Sequence, residues 1–273
     1  MWPRDRTAPA ECLRIGRHSA ERWAAVDGGL SLQAQQRLPQ DRALQPSVLV
    51  EAMAALYPSP PGCPVALILE SAWLPVMLVN MGERFLRAAQ LDALVRHRFA
   101  LRDPDSSDPV AGWELRADHR AGSQHALAYG LALQLKQALL DSARTVNLEL
   151  TAITPALSWG MERLLPAKGW RRTAAWWLWP EQDRTLVVRI LSNEVAGLNA
   201  GAPPVTDESE LLQLTDIESA RLGLGPMMDP IAAAIWSAAP RAAQAGERFS
   251  WIEVSRRRGS FEPKTADALR APA

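Results

Sequence analysis

Cysteine, lysine and tyrosine are all scarce in this chain of 273 residues. The two cysteines, Cys12 and Cys63, provide no disulfide framework and no CxxC motif, and so few cysteines favour a reducing compartment. The basic residues include only three lysines, Lys136, Lys168 and Lys264. A mechanism that depends on lysine therefore has few candidate residues.

Neither sign of charge is in excess, because Lys+Arg and Asp+Glu number 30 each. Phosphate contacts depend on Lys and Arg, so this balance argues against a nucleic-acid partner. Long hydrophobic runs are also missing. The most apolar stretch, 63–79, is interrupted by Glu70 and Pro75 and predicts two strands rather than a membrane-spanning helix. The first residues contain no apolar signal segment, so we expect a soluble, cytoplasmic protein.

The residues that are present predict a globular protein of mixed helices and strands, since 48% of them are hydrophobic. Apolar spacing predicts helices over 47–56, 86–99 and 131–144, a helix that starts at 154–155, a helix that opens at 207, and a helix over 231–239. Ser47 is the predicted cap of the first helix. Predicted strands are 13–18, 22–26, 30–36, 65–70, 76–80, 113–117, 125–130, 148–152, 171–179, 184–191, 194–199 and 249–254. Because only five residues separate 65–70 from 76–80, we expect these two strands to form a hairpin.

The order of these elements predicts two lobes. A longer series of strands and helices is followed by a shorter variation of the same theme, and helices that alternate with a sheet need both layers to bury their apolar faces. We therefore expect an α/β protein with a first lobe over 11–165 and a smaller second lobe over 166–258, each a mixed sheet with flanking helices. The tails 1–10 and 259–273 are predicted to be flexible.

Four short segments carry a resemblance to a known family. They are the predicted strand and turn at 65–71, the helix end His97-Arg98-Phe99, the strand at 112–116, and the strand and helix of 148–161. In this order they resemble the actin-like (ribonuclease-H-like) fold. More narrowly, they are similar to PilM of type IV pilus machines and to the cytoplasmic domain of GspL of type II secretion systems. The resemblance covers about residues 11–200 as a pattern of elements.

The resemblance implies a scaffold rather than an enzyme. PilM docks the N-terminal tail of a membrane partner of the PilN type, and GspL docks the secretion ATPase. We therefore expect a cytoplasmic docking protein at the inner face of the inner membrane. Its expected partner is an inner-membrane assembly protein or a pilus or secretion ATPase.

Actin-like ATP sites use two turns that wrap the phosphates, and each turn needs an acidic residue for the metal-bound water and glycines for close backbone approach. The first turn here consists of Gly16, Arg17, His18 and Ser19, and has one glycine and no aspartate. The second turn consists of Glu181, Gln182 and Asp183; it has no glycine, and the preceding Pro180 lacks an N–H. These degraded turns predict no ATPase activity, no bound cofactor and no metal. The alternatives are an actin-like ATPase with divergent phosphate loops, or an unrelated α/β enzyme whose active site one sequence does not reveal.

Aromatic and arginine residues are the candidate contacts with a partner. Trp176, Trp177 and Trp179 lie on one predicted strand, where Trp177 and Trp179 share a face and Trp176 faces away. If one face is open, it is a candidate docking surface; the alternative is a sheet covered on both faces. Arg98 and Trp113, from the segments that carry the resemblance, complete this candidate set.

Overall fold

The computed structural model describes residues 11–26, 29–39, 45–59, 61–82, 86–101, 111–119, 123–164, 175–191, 194–205, 208–223, 231–235 and 249–253. The predicted tails and the predicted boundary between the lobes at 165–166 lie outside these residues. The helices are α1 (Pro46–Leu56), α2 (Ala88–Ala100), α3 (Leu133–Thr145), α4 (Ala156–Leu164) and α5 (Glu208–Arg221). The strands are β1 (Glu11–Ile15), β2 (Ser19–Val26), β3 (Gly29–Arg37), β4 (Val65–Leu69), β5 (Val76–Asn80), β6 (Trp113–His119), β7 (His125–Ala132), β8 (Leu150–Pro155), β9 (Ala175–Pro180), β10 (Thr185–Leu191), β11 (Glu194–Ala202), β12 (Ile231–Ile235) and β13 (Phe249–Glu253).

Two five-stranded sheets have the same plan. The first has the order β3-β2-β1-β4-β8, and the second has the order β11-β10-β9-β12-β13. In each, three strands form an antiparallel meander, and the meander's first strand continues into two parallel neighbours. A third, antiparallel sheet has the order β5-β7-β6 and carries α2 on one face. The mixed α/β class is therefore confirmed.

The central strands follow from their composition. All five residues of β4, Val-Ala-Leu-Ile-Leu, are buried, as expected of a strand between two parallel neighbours. The helix α1 lies against α3 and begins with Pro46 in its first turn. The predicted cap at Ser47 is wrong, because Gln45 precedes the helix and makes no side-chain capping bond. A proline needs no N–H partner, so it suits this position.

The predicted hairpin of 65–70 with 76–80 is also wrong. Strand β4 is flanked by β1 and β8, so both of its edges are already paired. Strand β5 instead pairs with β7 in the third sheet. The five residues between them carry the chain from one sheet to another, which a count of intervening residues does not reveal.

The alanine-rich segment at 231–239 was predicted to be helical, but 231–235 forms the strand β12 between β9 and β13. Alanine favours a helix by propensity. A short, uniformly apolar segment, however, has no periodicity that separates a buried strand from a helix, and the two parallel partners decide the outcome. The meander of β9, β10 and β11 and the strand β13 form where predicted.

One apolar core joins the two large sheets. It includes Leu13 and Leu67 from the first sheet and Trp177, Trp179 and Val188 from the second. Separate clusters lie between α5 and the opposite face of the second sheet, and between α2 and the third sheet. Among the described residues, no helix is long and apolar enough to span a bilayer.

Candidate functional site

The two predicted phosphate turns meet in the structure, where the side chain of Gln182 lies in the first turn. Its Oε1 accepts hydrogen bonds from the backbone N–H groups of His18, at 2.7 Å, and Ser19, at 2.8 Å. Its Nε2 donates to Ser19 Oγ at 2.6 Å. Two convergent backbone N–H groups are suited to an anion. Here they already have an acceptor from the protein itself.

Gly16 provides the space for this contact. A Cβ at Gly16 would lie 2.3 Å from Cδ of Gln182, so any side chain here would force the carboxamide to move. The close approach at this glycine is therefore made by the chain's own glutamine. Beside it, Trp73 Nε1 donates to the Gly16 carbonyl at 2.8 Å, and the Arg17 guanidinium lies 5.2 Å from the centre of the Trp73 ring. A phosphate group would have to displace Gln182 before it reached the turn.

Glu181, next to Gln182, contacts a second segment of the first sheet. Its carboxyl accepts from the N–H of Ser71 at 2.9 Å and makes a short contact with Ser71 Oγ. The backbone N–H of Gln182 donates to Glu70 at 3.1 Å. The second turn is thus joined both to the end of β1 and to the end of β4.

A buried ion network lies beneath the turns. Arg14 pairs with Glu21 at 3.0 Å and also contacts Glu70, which is 0% exposed. Burial, together with the neighbouring carboxylate of Glu70, raises the pKa of Glu181 to about 8. One guanidinium thus lies among three buried carboxyl groups, and burial beside Glu70 favours the protonated form of Glu181.

Glu70, Glu181 and Asp183 lie close enough to suggest a cation site, with ligand atoms all within 4.8 Å of one another. Protein groups already engage each of them. Arg14 binds Glu70, Ser71 donates to Glu181, and Arg184 pairs with Asp183 at 2.8 Å. Although burial opposes it, Arg184 holds the pKa of Asp183 below its ordinary value. A divalent ion would compete with Arg14 for Glu70 and with Arg184 for Asp183, and these two cations disfavour a resident metal.

The three tryptophans of β9 are buried, at 1%, 0% and 0% exposure for Trp176, Trp177 and Trp179. Trp177 and Trp179 stack on one face with ring centres 6.2 Å apart. Trp176 lies on the other face, with the Arg189 guanidinium 4.9 Å from its ring centre. The strand is covered on both faces, which corrects the expectation that it offers a docking surface: burial leaves no aromatic face for a partner.

Of the other two candidates, Arg98 is exposed on the last turn of α2. Trp113 is half-buried, and its ring centre lies 6.3 Å from that of Phe99 on α2. Trp113 therefore packs within the third sheet and its helix. A docking role for Arg98 and Trp113 stays a prediction.

A groove of about 230 Å³ lies between the third sheet, α3 and the outer edge of β8. Strand β8 is the last strand of its sheet and pairs with β4; along its other edge the described residues place no strand. We call this feature the β8 groove. Its lining residues are Leu74, Glu114, Arg116, Tyr129, Leu131, Lys136, Leu140, Leu150, Thr151, Ala152 and Ile153.

One carboxylate and two cations give the β8 groove its charge. Glu114 accepts from Arg116 Nε at 2.9 Å and also pairs with Lys136. The hydrogen bond from Lys136 holds the pKa of Glu114 below its ordinary value. Of the three charged side chains in the lining, two are positive, so the groove has a net charge of one positive unit.

No protein-family model and no curated protein matches the chain. Among solved structures, a PilM–PilN type IV pilus biogenesis complex matches with a TM-score of 0.56 at 12% identity, over 83% of this chain and 81% of that chain. A Bacteroides thetaiotaomicron protein of unknown function with an actin-like ATPase fold matches with a TM-score of 0.50 at 5% identity, over 85% of this chain and 82% of that one. The chain has an actin-like fold. A weaker likeness, with a TM-score of 0.46 at 11% identity over 93% of this chain and 89% of that chain, is to the cytoplasmic domain of EpsL from the Vibrio cholerae type II secretion system.

Within this actin-like fold, sequence reasoning found the two turns but missed what fills them. The absence of glycine at 181–183 was visible, whereas the partner of Gln182 lies 163 residues away in the chain. The β8 groove was missed entirely. Its one local signal is that Glu114 and Arg116 alternate on a single face of β6, next to the Trp113 that the sequence did single out.

Proposed function

We propose that this chain is a non-catalytic docking scaffold at the cytoplasmic face of the inner membrane, in an assembly platform of the type IV pilus or type II secretion kind. Its partner is an extended segment of an inner-membrane assembly protein, held in the β8 groove. A pilus or secretion ATPase is the alternative partner. The observation that carries the proposal is the outer edge of β8, which no described strand pairs with, beside a lined groove. The likeness in fold to a PilM solved together with PilN supports a role in such an assembly platform.

The edge of β8 has the properties of a strand that accepts another strand. Edge strands are commonly protected by charged residues, prolines or bulges. Residues 150–154, Leu-Thr-Ala-Ile-Thr, contain no charge and no proline. The strand ends at Pro155, and its pairing with β4 skips Thr151, so β8 has one irregularity near its start. An extended peptide would form main-chain hydrogen bonds along the uncharged residues between this irregularity and Pro155.

The lining of the β8 groove defines the chemistry of the bound segment. Leu74, Leu131 and Leu140 provide apolar contact area, and Arg116 and Lys136 outnumber Glu114. A segment with apolar side chains and one acidic side chain near the two cations fits this arrangement. A small metabolite fits less well, because such ligands usually occupy pockets of about 300–1,000 Å³.

The side chain of Gln182 in the first turn supports a non-catalytic role for the chain. A nucleotide would meet Gln182 where its phosphates should bind, and Arg14, Ser71 and Arg184 hold the carboxylates that would organise a metal. The clustering of those carboxylates is the one observation that favours the alternative, an actin-like ATPase with divergent loops. A thermal-shift titration with Mg-ATP separates the two proposals, since a ligand of the native state raises the melting temperature. We expect no shift; a magnesium-dependent shift would favour the ATPase.

The docking experiment is a calorimetric titration of the chain with synthetic cytoplasmic tails of the single-span inner-membrane proteins of pilus and secretion platforms from the same organism. We expect one tail to bind, and to bind about tenfold more weakly to Lys136→Glu, because reversing this charge removes about 1.4 kcal/mol of attraction for an acidic side chain. Arg144→Glu is the matched control, since Arg144 lies on the same helix and pairs only locally with Asp141. The proposal fails if no tail binds, or if Lys136→Glu binds as tightly as Arg144→Glu.

A further inference from the structure

The second turn connects to the first sheet through two adjacent side chains. Gln182 contacts the backbone at His18 and Ser19, and Glu181 contacts Ser71. The partners are separated along the chain by 164, 163 and 110 residues. These contacts therefore join parts of the molecule that chain connectivity leaves independent. We call this set of contacts the cleft latch.

The carboxamide of Gln182 is bound as a ligand would be. Its oxygen accepts two hydrogen bonds, and its nitrogen donates to Ser19 Oγ. A primary amide offers an acceptor and a donor at its two ends. Both ends are used here, so the group is held in one orientation.

The fit of Gln182 is steric as well as polar. The missing side chain of Gly16 leaves the space in which Cδ, Oε1 and Nε2 of Gln182 lie, each within 2.6 Å of where a Cβ would be. Trp73 fixes the same turn from the other side through the Gly16 carbonyl. The first turn thus accommodates the end of this one side chain through both its shape and its hydrogen-bonding groups.

Glu181 gives the cleft latch a second, separate point of attachment. It accepts from the N–H of Ser71, in the segment after β4, while Gln182 contacts the turn after β1. Withdrawal of the second turn would leave the N–H groups of His18, Ser19 and Ser71 without their acceptors. Ser19 and Ser71 are buried, so water would not replace the lost acceptors, and the unpaired N–H groups would destabilise the chain.

We propose that the cleft latch holds the two turns in one closed arrangement without any bound ligand, with Gln182 in the role that a ligand would otherwise fill. The contact between the two turns is then a permanent feature of the chain rather than a state that a ligand switches on. This inference does not depend on docking in the β8 groove, so either proposal can fail alone.

Amide hydrogen exchange on the full chain tests the latch. In Gln182→Ala we expect protection to fall about tenfold or more at His18, Ser19 and also Ser71, whose acceptor belongs to Glu181. Gln33→Ala is the control, because Gln33 is an exposed glutamine whose side chain donates to the Ser31 carbonyl on its own strand. If protection falls only at His18 and Ser19, Gln182 acts locally and the cleft latch is refuted. Unchanged protection at all three amides would refute it as well. If Gln182→Ala does not fold, Gln182→Asn, one methylene shorter, is expected to produce the same pattern with a smaller loss.

Discussion

The raised pKa of Glu181 should make its contribution to stability depend on pH in a direction opposite to that of most paired carboxylates. The folded chain holds the pKa of Glu181 at about 8, because its carboxyl is buried beside Glu70. In the unfolded chain the same group has its ordinary pKa of 4.5. Between these two values the folded state keeps a proton that the unfolded state has released.

The contribution of Glu181 to the free energy of unfolding should therefore be highest below the unfolded pKa, and should fall as pH rises towards the folded pKa. The slope for one proton is at most about 1.4 kcal/mol per pH unit, and it disappears above about pH 8, where both states have lost the proton. Arg14 limits the loss, because it neutralises part of the charge on Glu70. Glu181→Gln replaces the protonated carboxyl with a neutral amide of the same shape and keeps an acceptor for Ser71.

The assay is urea unfolding of the wild type and of Glu181→Gln from about pH 5 to about pH 9. The wild type should lose stability across this window, and the variant should show a flatter profile and exceed the wild type at the alkaline end. Glu210→Gln, at an exposed position on α5, serves as the control and should follow the wild type. A wild-type profile that rises with pH, or a variant profile parallel to the wild type, would refute the assignment of the proton to this carboxyl.

Two further substitutions test the packing and the ion network by urea unfolding. Gly160→Ala places a Cβ 2.1 Å from the Trp179 ring and should cost about 1–3 kcal/mol. Gly62→Ala is the control and should be nearly neutral, because a Cβ there meets nothing within 4 Å. Equal losses of stability in Gly160→Ala and Gly62→Ala would contradict the close packing of Gly160 against Trp179. Arg14→Met should cost about 3–5 kcal/mol, since it leaves buried carboxylates without their cation. The same change at the exposed Arg144 should cost under about 0.5 kcal/mol, and a similarly small loss for Arg14→Met would mean that the network contributes little.

Elements whose signal is local can be predicted from the sequence. Apolar spacing placed α1, α2 and α3, and alternation with short turns placed the meander of β9, β10 and β11, because such patterns need only neighbours along the chain. Alternation also predicted that Trp177 and Trp179 share a face opposite Trp176. The missing glycines at 181–183 already indicated a turn unsuited to phosphate.

Tertiary structure alone decided which elements meet. The segments 65–69 and 76–80 both form strands, but β1 and β8 occupy both edges of the first and leave the second for another sheet. The segment 231–235 is a strand because two parallel partners flank it, although its alanines favour a helix. Gln182 enters the turn at Ser19 across 163 residues of chain. Pairing of strands and contacts of side chains depend on groups far apart in sequence, and a local pattern carries no information about which distant group will be there.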